Sequence, residues 1–248
     1  VLTNDQEKSL GAFVEWIEAP YTFNPFVMQG FAGSGKTYLS MKFLKKVDTA
    51  ALCWTVVAPT HKAVGVLRQA LKHESIKPTW FPSTIHRLLR LKLKRQADVE
   101  ICEKTDQTES SLENLGLVLI DEASMIGNKF LEAIVDIVKH RNLKMLFVGD
   151  PFQLPPPTDK CSLFDGSLST FALTKVHRQH GDNPILDKAT EFRQFMEGTL
   201  IQPKLEETLN INGDGIHVLS HADFITKFVE KYLNYTTGAP IDIPLCTY

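Results

Sequence analysis

Phe26-Val27-Met28-Gln29-Gly30-Phe31-Ala32-Gly33-Ser34-Gly35-Lys36-Thr37 is the stretch that decides the fold of this chain. Its first four residues read as a short buried strand that runs directly into a glycine-rich turn. Thr37 to Val47 then carries helical spacing. The turn satisfies the pattern G-x-x-x-x-G-K-[ST] in the setting that gives the pattern meaning, after a strand and before a helix. Gly30, Gly33 and Gly35 let the backbone fold tightly, so that its N–H groups converge on phosphate oxygens at a helix N-terminus. Lys36 is placed to reach the outer phosphates of ATP, and the Thr37 hydroxyl to hold Mg²⁺. A merely structural glycine turn is the alternative, and it leaves the Lys-Thr ending unexplained.

A second half of that site lies downstream. Leu117-Val118-Leu119-Ile120 is an apolar run, as expected of a strand buried on both faces, and it ends in Asp121-Glu122. Asp121 is expected to hold Mg²⁺, since a hard cation prefers carboxylate oxygen, and Glu122 to act as general base on the attacking water. Acidic pairs are common on surfaces, so it is their place after this strand that makes them informative. Cys53 to Ala58 and Lys144 to Val148 read as further buried strands. His61 to Leu71 and Phe130 to Lys139 read as helices between strands. Strands alternating with helices predict an α/β fold with a parallel sheet and helices on both faces.

Helical periodicity begins early, from Thr3 to Ala19, with Leu10, Phe13, Val14 and Ile17 on one face. Thr3 is the expected N-cap and Gln6 its capping-box partner. Gln6 also has an alternative use, reading the edge of adenine. Residues 91–116 break the strand–helix rhythm: Leu91-Lys92-Leu93-Lys94 alternates at period two, with a return partner near 98–101, so a small inserted β-hairpin is expected. Pro184 to Met196 and Ala222 to Tyr235 are helical again, and Pro240 to Cys246 resembles one more strand.

Composition narrows the classes. A net charge of −2 over 248 residues excludes a globally basic, tail-driven nucleic-acid binder, although Arg87 to Arg95 is densely basic. No apolar run approaches the roughly 20 residues of a membrane helix, and the first residues lack a signal-peptide pattern. Four scattered cysteines, Cys53, Cys102, Cys161 and Cys246, show no metal-ligand spacing. They read as reduced thiols of a cytoplasmic (or nucleoid-associated) protein.

Three more stretches complete a resemblance: Ala58-Pro59-Thr60-His61-Lys62-Ala63, Ser83-Thr84-Ile85-His86 and Gly149-Asp150-Pro151-Phe152-Gln153-Leu154-Pro155-Pro156. With the phosphate loop, Asp121-Glu122-Ala123-Ser124-Met125, Leu2-Thr3-Asn4-Asp5-Gln6 and Leu173-Thr174-Lys175-Val176-His177-Arg178-Gln179, the chain resembles superfamily 1 helicases of the RecD/Dda-like group. The resemblance covers essentially the whole chain. It implies a RecA-like P-loop NTPase motor domain over 1–90 and 117–239, a pin-like insertion at 91–116, and the start of a second RecA-like domain of the same parent chain at 240–248. It further implies that Gln6, Gly33, Ser34, Gly35, Lys36 and Thr37 bind ATP. Lys36, Glu122, Gln153 and Arg178 would serve catalysis, with Thr37 and Asp121 on Mg²⁺.

Single-stranded DNA at a duplex junction is the implied partner, contacted by Thr60, His61, Lys62, Thr84 and His86, with travel from 5′ to 3′. Structural roles for the two histidines and a surface salt bridge for Arg178 are the competing uses. Residues 91 to 116 contain no aromatic, which departs from a stacking wedge at the pin. The motifs of a second motor domain are absent before Tyr248, so this chain alone is expected to turn ATP over poorly. A nucleotide-gated single-strand binding module, an RNA helicase and a small-molecule P-loop enzyme are the rival readings.

Overall fold

Along each central strand the side chains alternate between two apolar layers. Phe26 and Met28, Val56 and Ala58, Leu117 and Leu119, and Leu146 and Val148 enter one layer. Val27, Val57, Val118 with Ile120, and Met145 with Phe147 enter the other. A strand whose two faces are both buried has to be apolar throughout, which is why these segments read as continuous hydrophobic runs. The computed structural model describes residues 2–96, 99–108, 112–139, 141–153, 156, 159–174, 184–204, 206–210 and 215–236.

The strands are Phe26–Gly30 (β1), Trp54–Ala58 (β2), Ser83–Thr84 (β3), Leu117–Ile120 (β6), Lys144–Gly149 (β7) and Thr170–Leu173 (β8). They form one sheet in the order β3-β2-β6-β7-β1-β8, every pair parallel. Lys92–Gln96 (β4) and Val99–Glu103 (β5) pair antiparallel as the inserted hairpin, from Lys92 opposite Glu103 to Gln96 opposite Val99. Its turn, at 97–98, lies outside the described residues.

Helices Asn4–Glu18 (α1), Lys36–Thr49 (α2) and His61–His73 (α3) cover one face of the sheet. The short Ile85–Leu88 (α4) and Asn128–Val138 (α5) cover the other. On the first face, aromatic packing ties separate elements together. Phe13 of α1 stacks on Phe43 of α2 at 4.2 Å, and Phe26 of β1 stacks on Phe171 of β8 at 4.6 Å. Such pairs add about 0.5–1.5 kcal/mol each beyond the area they bury.

The buried stripe of α1 differs from the expected one. It runs Gln6, Ser9, Phe13 and Ile17, whereas Leu10 and Val14 sit at its partly exposed margins. The first turn is drawn onto the glycine loop by the Gln6 amide, which donates to Ser34 O, while the buried Ser9 hydroxyl has no partner among the described residues. Its last turn is held from a distance: Lys144 Nζ donates to the carbonyls of Trp16 (2.5 Å) and Ala19 (2.8 Å), two groups a helix C-terminus leaves unpaired. Burial pushes the Lys144 ammonium below its usual value.

The chain divides into two compact units, residues 1–178 and 179–248. In the second unit, Pro184–Met196 (α6) and His221–Thr236 (α7) flank a two-stranded antiparallel ribbon, Thr208–Leu209 (β9) with Gly215–Ile216 (β10). No composition break in the sequence marks this division. The strand expected at 240–246 lies outside the described residues. Among the described residues no helix is long and apolar enough to cross a membrane, and no cluster of His, Cys, Asp or Glu has metal-site geometry.

Candidate nucleotide site and the strand edge beside it

Three adjacent parallel strands, β6, β7 and β1, end at the same edge of the sheet, and each delivers one part of the site. β1 leads into the loop 30–35 and Lys36, β7 into Asp150, and β6 into Asp121 and Glu122. Neighbouring strands lie about 4.8 Å apart, so all three parts fall within about 10 Å. Ligands of open α/β sheets gather at this carboxyl edge.

Gly33 and Gly35 take left-handed backbone angles (φ 82° and 86°), which turn the loop into α2. A Cβ at Gly35 would also meet Gln6 Nε2 at 2.7 Å. Lys36 Nζ donates to the carbonyls of Gly30 (2.7 Å) and Phe31 (3.1 Å) and lies 4.0 Å from Asp150 Oδ2. Asp150 is buried, and its other oxygen accepts from Phe152 N–H at 3.1 Å. Asp150 belongs to the quoted motif but was given no role by sequence; a charged residue closing an apolar strand next to Pro151 was the available signal.

Asp121 Oδ1 accepts the Glu122 backbone N–H at 3.0 Å, and the Asp121 N–H donates to Val57 O at 2.9 Å. Burial, reinforced by the neighbouring Glu122 charge, raises the Asp121 carboxyl to about 6; the Glu122 N–H and the Lys36 ammonium pull the other way. Glu122 adopts a left-handed backbone (φ 53°), which is strained for a residue with a long side chain. Its Oε2 is buried with no hydrogen-bond partner, as are Ser34 Oγ and Ser124 Oγ. Buried polar atoms without partners are rare and call for an explanation. A triphosphate with a divalent cation would supply one: a hard cation suits the oxygen donors of Thr37 and Asp121, a water beside it suits Glu122, and the loop N–H groups with Lys36 suit phosphate. Close approach is built in at Gly149 too, where a Cβ would meet Phe164 Cζ at 2.7 Å and Ser124 N at 3.0 Å.

Gln6 is 3% exposed, and both ends of its amide are engaged: Oε1 accepts from Thr3 N–H at 3.1 Å, and Nε2 donates to Ser34 O at 3.3 Å. Its capping box is complete. Gln6 therefore straps α1 to the phosphate loop. Asp5 beside it accepts from Thr174 at the end of β8, through the hydroxyl at 2.5 Å and the backbone N–H at 3.3 Å. Replacing Gln6 by Ala is expected to cost about 1–3 kcal/mol, from the lost cap and an unpaired Ser34 carbonyl. Urea denaturation measures that cost. Parallel titrations with ATP and GTP separate the strap from adenine reading, since only the latter favours one nucleotide.

Gln153 sits in the turn after β7, its N–H bonded to Asp150 O at 3.1 Å, and lines a pocket of about 330 Å³ with Ser124, Cys161 and Phe164. Arg178 lies outside the described residues. Thr60, His61 and Lys62 are exposed at the start of α3, where the Thr60 hydroxyl caps Ala63 N–H at 3.2 Å. Thr84 is buried and caps Arg87 N–H at 3.3 Å. His86 stacks on Phe130 at 4.5 Å. Both thus carry structural duties, whereas His61 and Lys62 face solvent. Ala58 and Thr84 are register partners, so the two segments leave the same edge side by side.

A family profile described as an AAA domain matches residues 21–220. The RecD subunit of the RecBCD enzyme from Buchnera aphidicola is 31% identical over 205 residues, covering 77% of this chain and 31% of that protein. The ATP-dependent RecD2 DNA helicase of Deinococcus radiodurans is 28% identical over 167 residues, 66% of this chain and 21% of that protein. The chain thus spans about a third or less of the length of the curated relatives it matches. Bacteroides Pif1 bound to single-stranded DNA superposes with a TM-score of 0.55 at 19% identity, covering 94% of this chain and 56% of that one, which establishes the shared fold. The phosphate loop, the acidic pair after β6 and these matches agree: the chain belongs to the AAA-domain family, within the RecD/Pif1-like group of superfamily 1 helicases.

Proposed function

We propose that this chain is the ATP-binding half of a 5′-to-3′ DNA helicase, working with a second RecA-like domain of the same parent. The observation that carries the reading is the shared edge: β6, β7 and β1 bring Asp121, Glu122, Asp150 and Lys36 together, and β2, paired to β6, presents Thr60, His61 and Lys62 beside them. The hydrogen bond from Asp121 N–H to Val57 O joins the two halves of that edge through the backbone. Single-strand DNA as track and the direction of travel come from the family; Pif1 of Bacteroides is a structural neighbour bound to such a strand.

In this reading Lys36 and the loop N–H groups bind and orient the triphosphate, and Thr37 and Asp121 hold Mg²⁺, which neutralises charge on the phosphates. Glu122, whose Oε2 is buried without a hydrogen-bond partner, takes the proton of the attacking water. Gln153, at the end of the same turn as Asp150, reports the state of the γ-phosphate to the strand edge. Arg178 offsets charge on the transferred phosphoryl group. The fragment is expected to bind ATP–Mg²⁺ and single-stranded DNA but to turn over slowly, because the wall opposite the γ-phosphate belongs to the second domain.

Steady-state ATPase assays with and without oligothymidylate test this, alongside strand titrations across salt. Robust strand-stimulated turnover by this chain alone would sink the divided-cleft reading. Absence of strand binding at low salt would favour a small-molecule P-loop enzyme.

A further inference from the structure

Phe81 is 75% exposed, yet it is held in place. The Arg68 guanidinium lies over its ring, 4.5 Å from the centroid, and Arg68 Nη2 is anchored on Pro82 O at 2.6 Å. The segment before it is bonded to β2: Thr79 and Trp80 N–H donate to Trp54 O (3.0 and 3.3 Å), and the Thr55 hydroxyl donates to Trp80 O at 2.9 Å. A large aromatic that contributes nothing to the core, fixed rigidly and backed by a cation, is a presented surface. Beside it opens a pocket of about 270 Å³ lined by Trp80, Phe81, Ser83, Arg87, Leu88 and Arg90.

The chemistry of that lining is selective. Its only ionisable groups are two arginines, with Arg68 a third cation behind the ring, in a chain whose net charge is −2. Arg90 is braced: its guanidinium meets Gln107 Oε1 at 3.4 Å and its carbonyl accepts the Thr105 hydroxyl at 2.8 Å. Flat aromatic faces with arginines match a base and its phosphate, the combination that single-strand binders use. The room suits about one stacked base with its sugar. Ser83 and Arg87 flank the Thr84–His86 segment, which leaves the same sheet edge as the Thr60–Lys62 track, so the pocket continues that edge past β3, the outermost strand.

The geometry points to a nucleotide subsite: Phe81 and Trp80 stack one base of a single strand while Arg87 and Arg90 hold its phosphate. This rests on the strand-binding reading above and extends it to residues outside the recognised motifs. Base faces rather than base edges are engaged, so the subsite is tolerant of sequence.

The test is fluorescence anisotropy of a labelled oligothymidylate of about 12 nucleotides on the 248-residue chain. Phe81→Ala is expected to weaken binding about 5- to 50-fold, with Phe81→Trp restoring it. Arg87→Ala is expected to weaken binding and to reduce the slope of log K against log salt by about 0.7, the signature of one lost phosphate contact. Both side chains are exposed, so thermal stability and ATP affinity should stay at wild-type values. Wild-type strand binding that survives both substitutions unchanged overturns the subsite alone, as it would if the pocket served a protein partner. A wild-type chain that binds no strand overturns the strand-track reading, and the subsite falls with it.

Discussion

Asp121→Asn should give a protein that is more stable than the wild type above neutral pH and unable to support hydrolysis. The Asp121 carboxyl is raised from 3.8 to about 6, chiefly by burial and then by Glu122. A raised carboxyl in the folded state favours the protonated form. Its contribution to stability is therefore fully present below 3.8 and is lost as pH rises through about 6. Above that, the fold carries a desolvated charge at a cost of about 1–3 kcal/mol, the upper figure being the full shift at 1.36 kcal/mol per unit and the lower allowing for the residue's partial exposure. Asparagine removes the charge and keeps an oxygen to accept the Glu122 N–H. In a unit of this size the gain corresponds to several degrees in Tm at pH 8. It should shrink steeply towards pH 4, where the folded-state Asp121 is neutral and the unfolded-state group about half ionised, and vanish below 3.8. Addition of Mg²⁺–ATP should raise the wild-type Tm more than that of the variant. Thermal melts from pH 4 to pH 8 decide it: a variant less stable than wild type at pH 8, or equally improved at pH 4, contradicts the account.

The same burial explains what the sequence could reveal about the fold and what it could not. β1, β2, β6 and β7 are covered on both faces, so their apolar runs stand out of the text. The edge strands β3 and β8 carry no such mark: one is two residues long, and the other, Thr170–Leu173, has a single buried residue. Edges pair on one side only and need less apolar surface, so a pattern search passes over them. The buried Gln6 and Ser9 of α1 escape for a related reason, because periodicity counts apolar residues and this stripe turns polar in its first two turns, with Gln6 meeting the phosphate loop.

Legibility of the site follows a similar division. Lys36, Thr37, Asp121 and Glu122 sit in a spacing imposed by phosphate and cation chemistry, so sequence alone placed them on one edge. Asp150 required the sheet order, since only knowledge that β7 lies between β6 and β1 brings it to Lys36. Thr84 and His86 required contacts, a helix cap and a ring stack, before structural duties could be assigned to them beside the strand contacts that the resemblance implies. The Phe81 platform has no motif at all, and its exposure becomes informative only once the sheet behind it is known.

Lys36→Ala is expected to weaken ATP binding by about 100-fold or more, the loss of one charge-assisted contact and of the site's central cation. The substitution does a second thing. Asp150 is buried and lies 4.0 Å from the ammonium, so removing Lys36 leaves a carboxylate without its cation at the mouth of an anion site. At that distance the pair is loose, and the expected loss of stability is about 1–2 kcal/mol, less than for a close buried pair. The stranded charge also repels phosphate. Adding Asp150→Asn to Lys36→Ala should therefore recover most of the stability and a small part of the ATP affinity, a coupling that a double-mutant cycle isolates. Titration with a fluorescent ATP analogue and urea denaturation of the four proteins provide the cycle. Unchanged nucleotide affinity in Lys36→Ala removes the phosphate-site assignment. Additive stability effects remove only the Lys36–Asp150 pair, because the loop carbonyls of Gly30 and Phe31 would then hold the lysine by themselves.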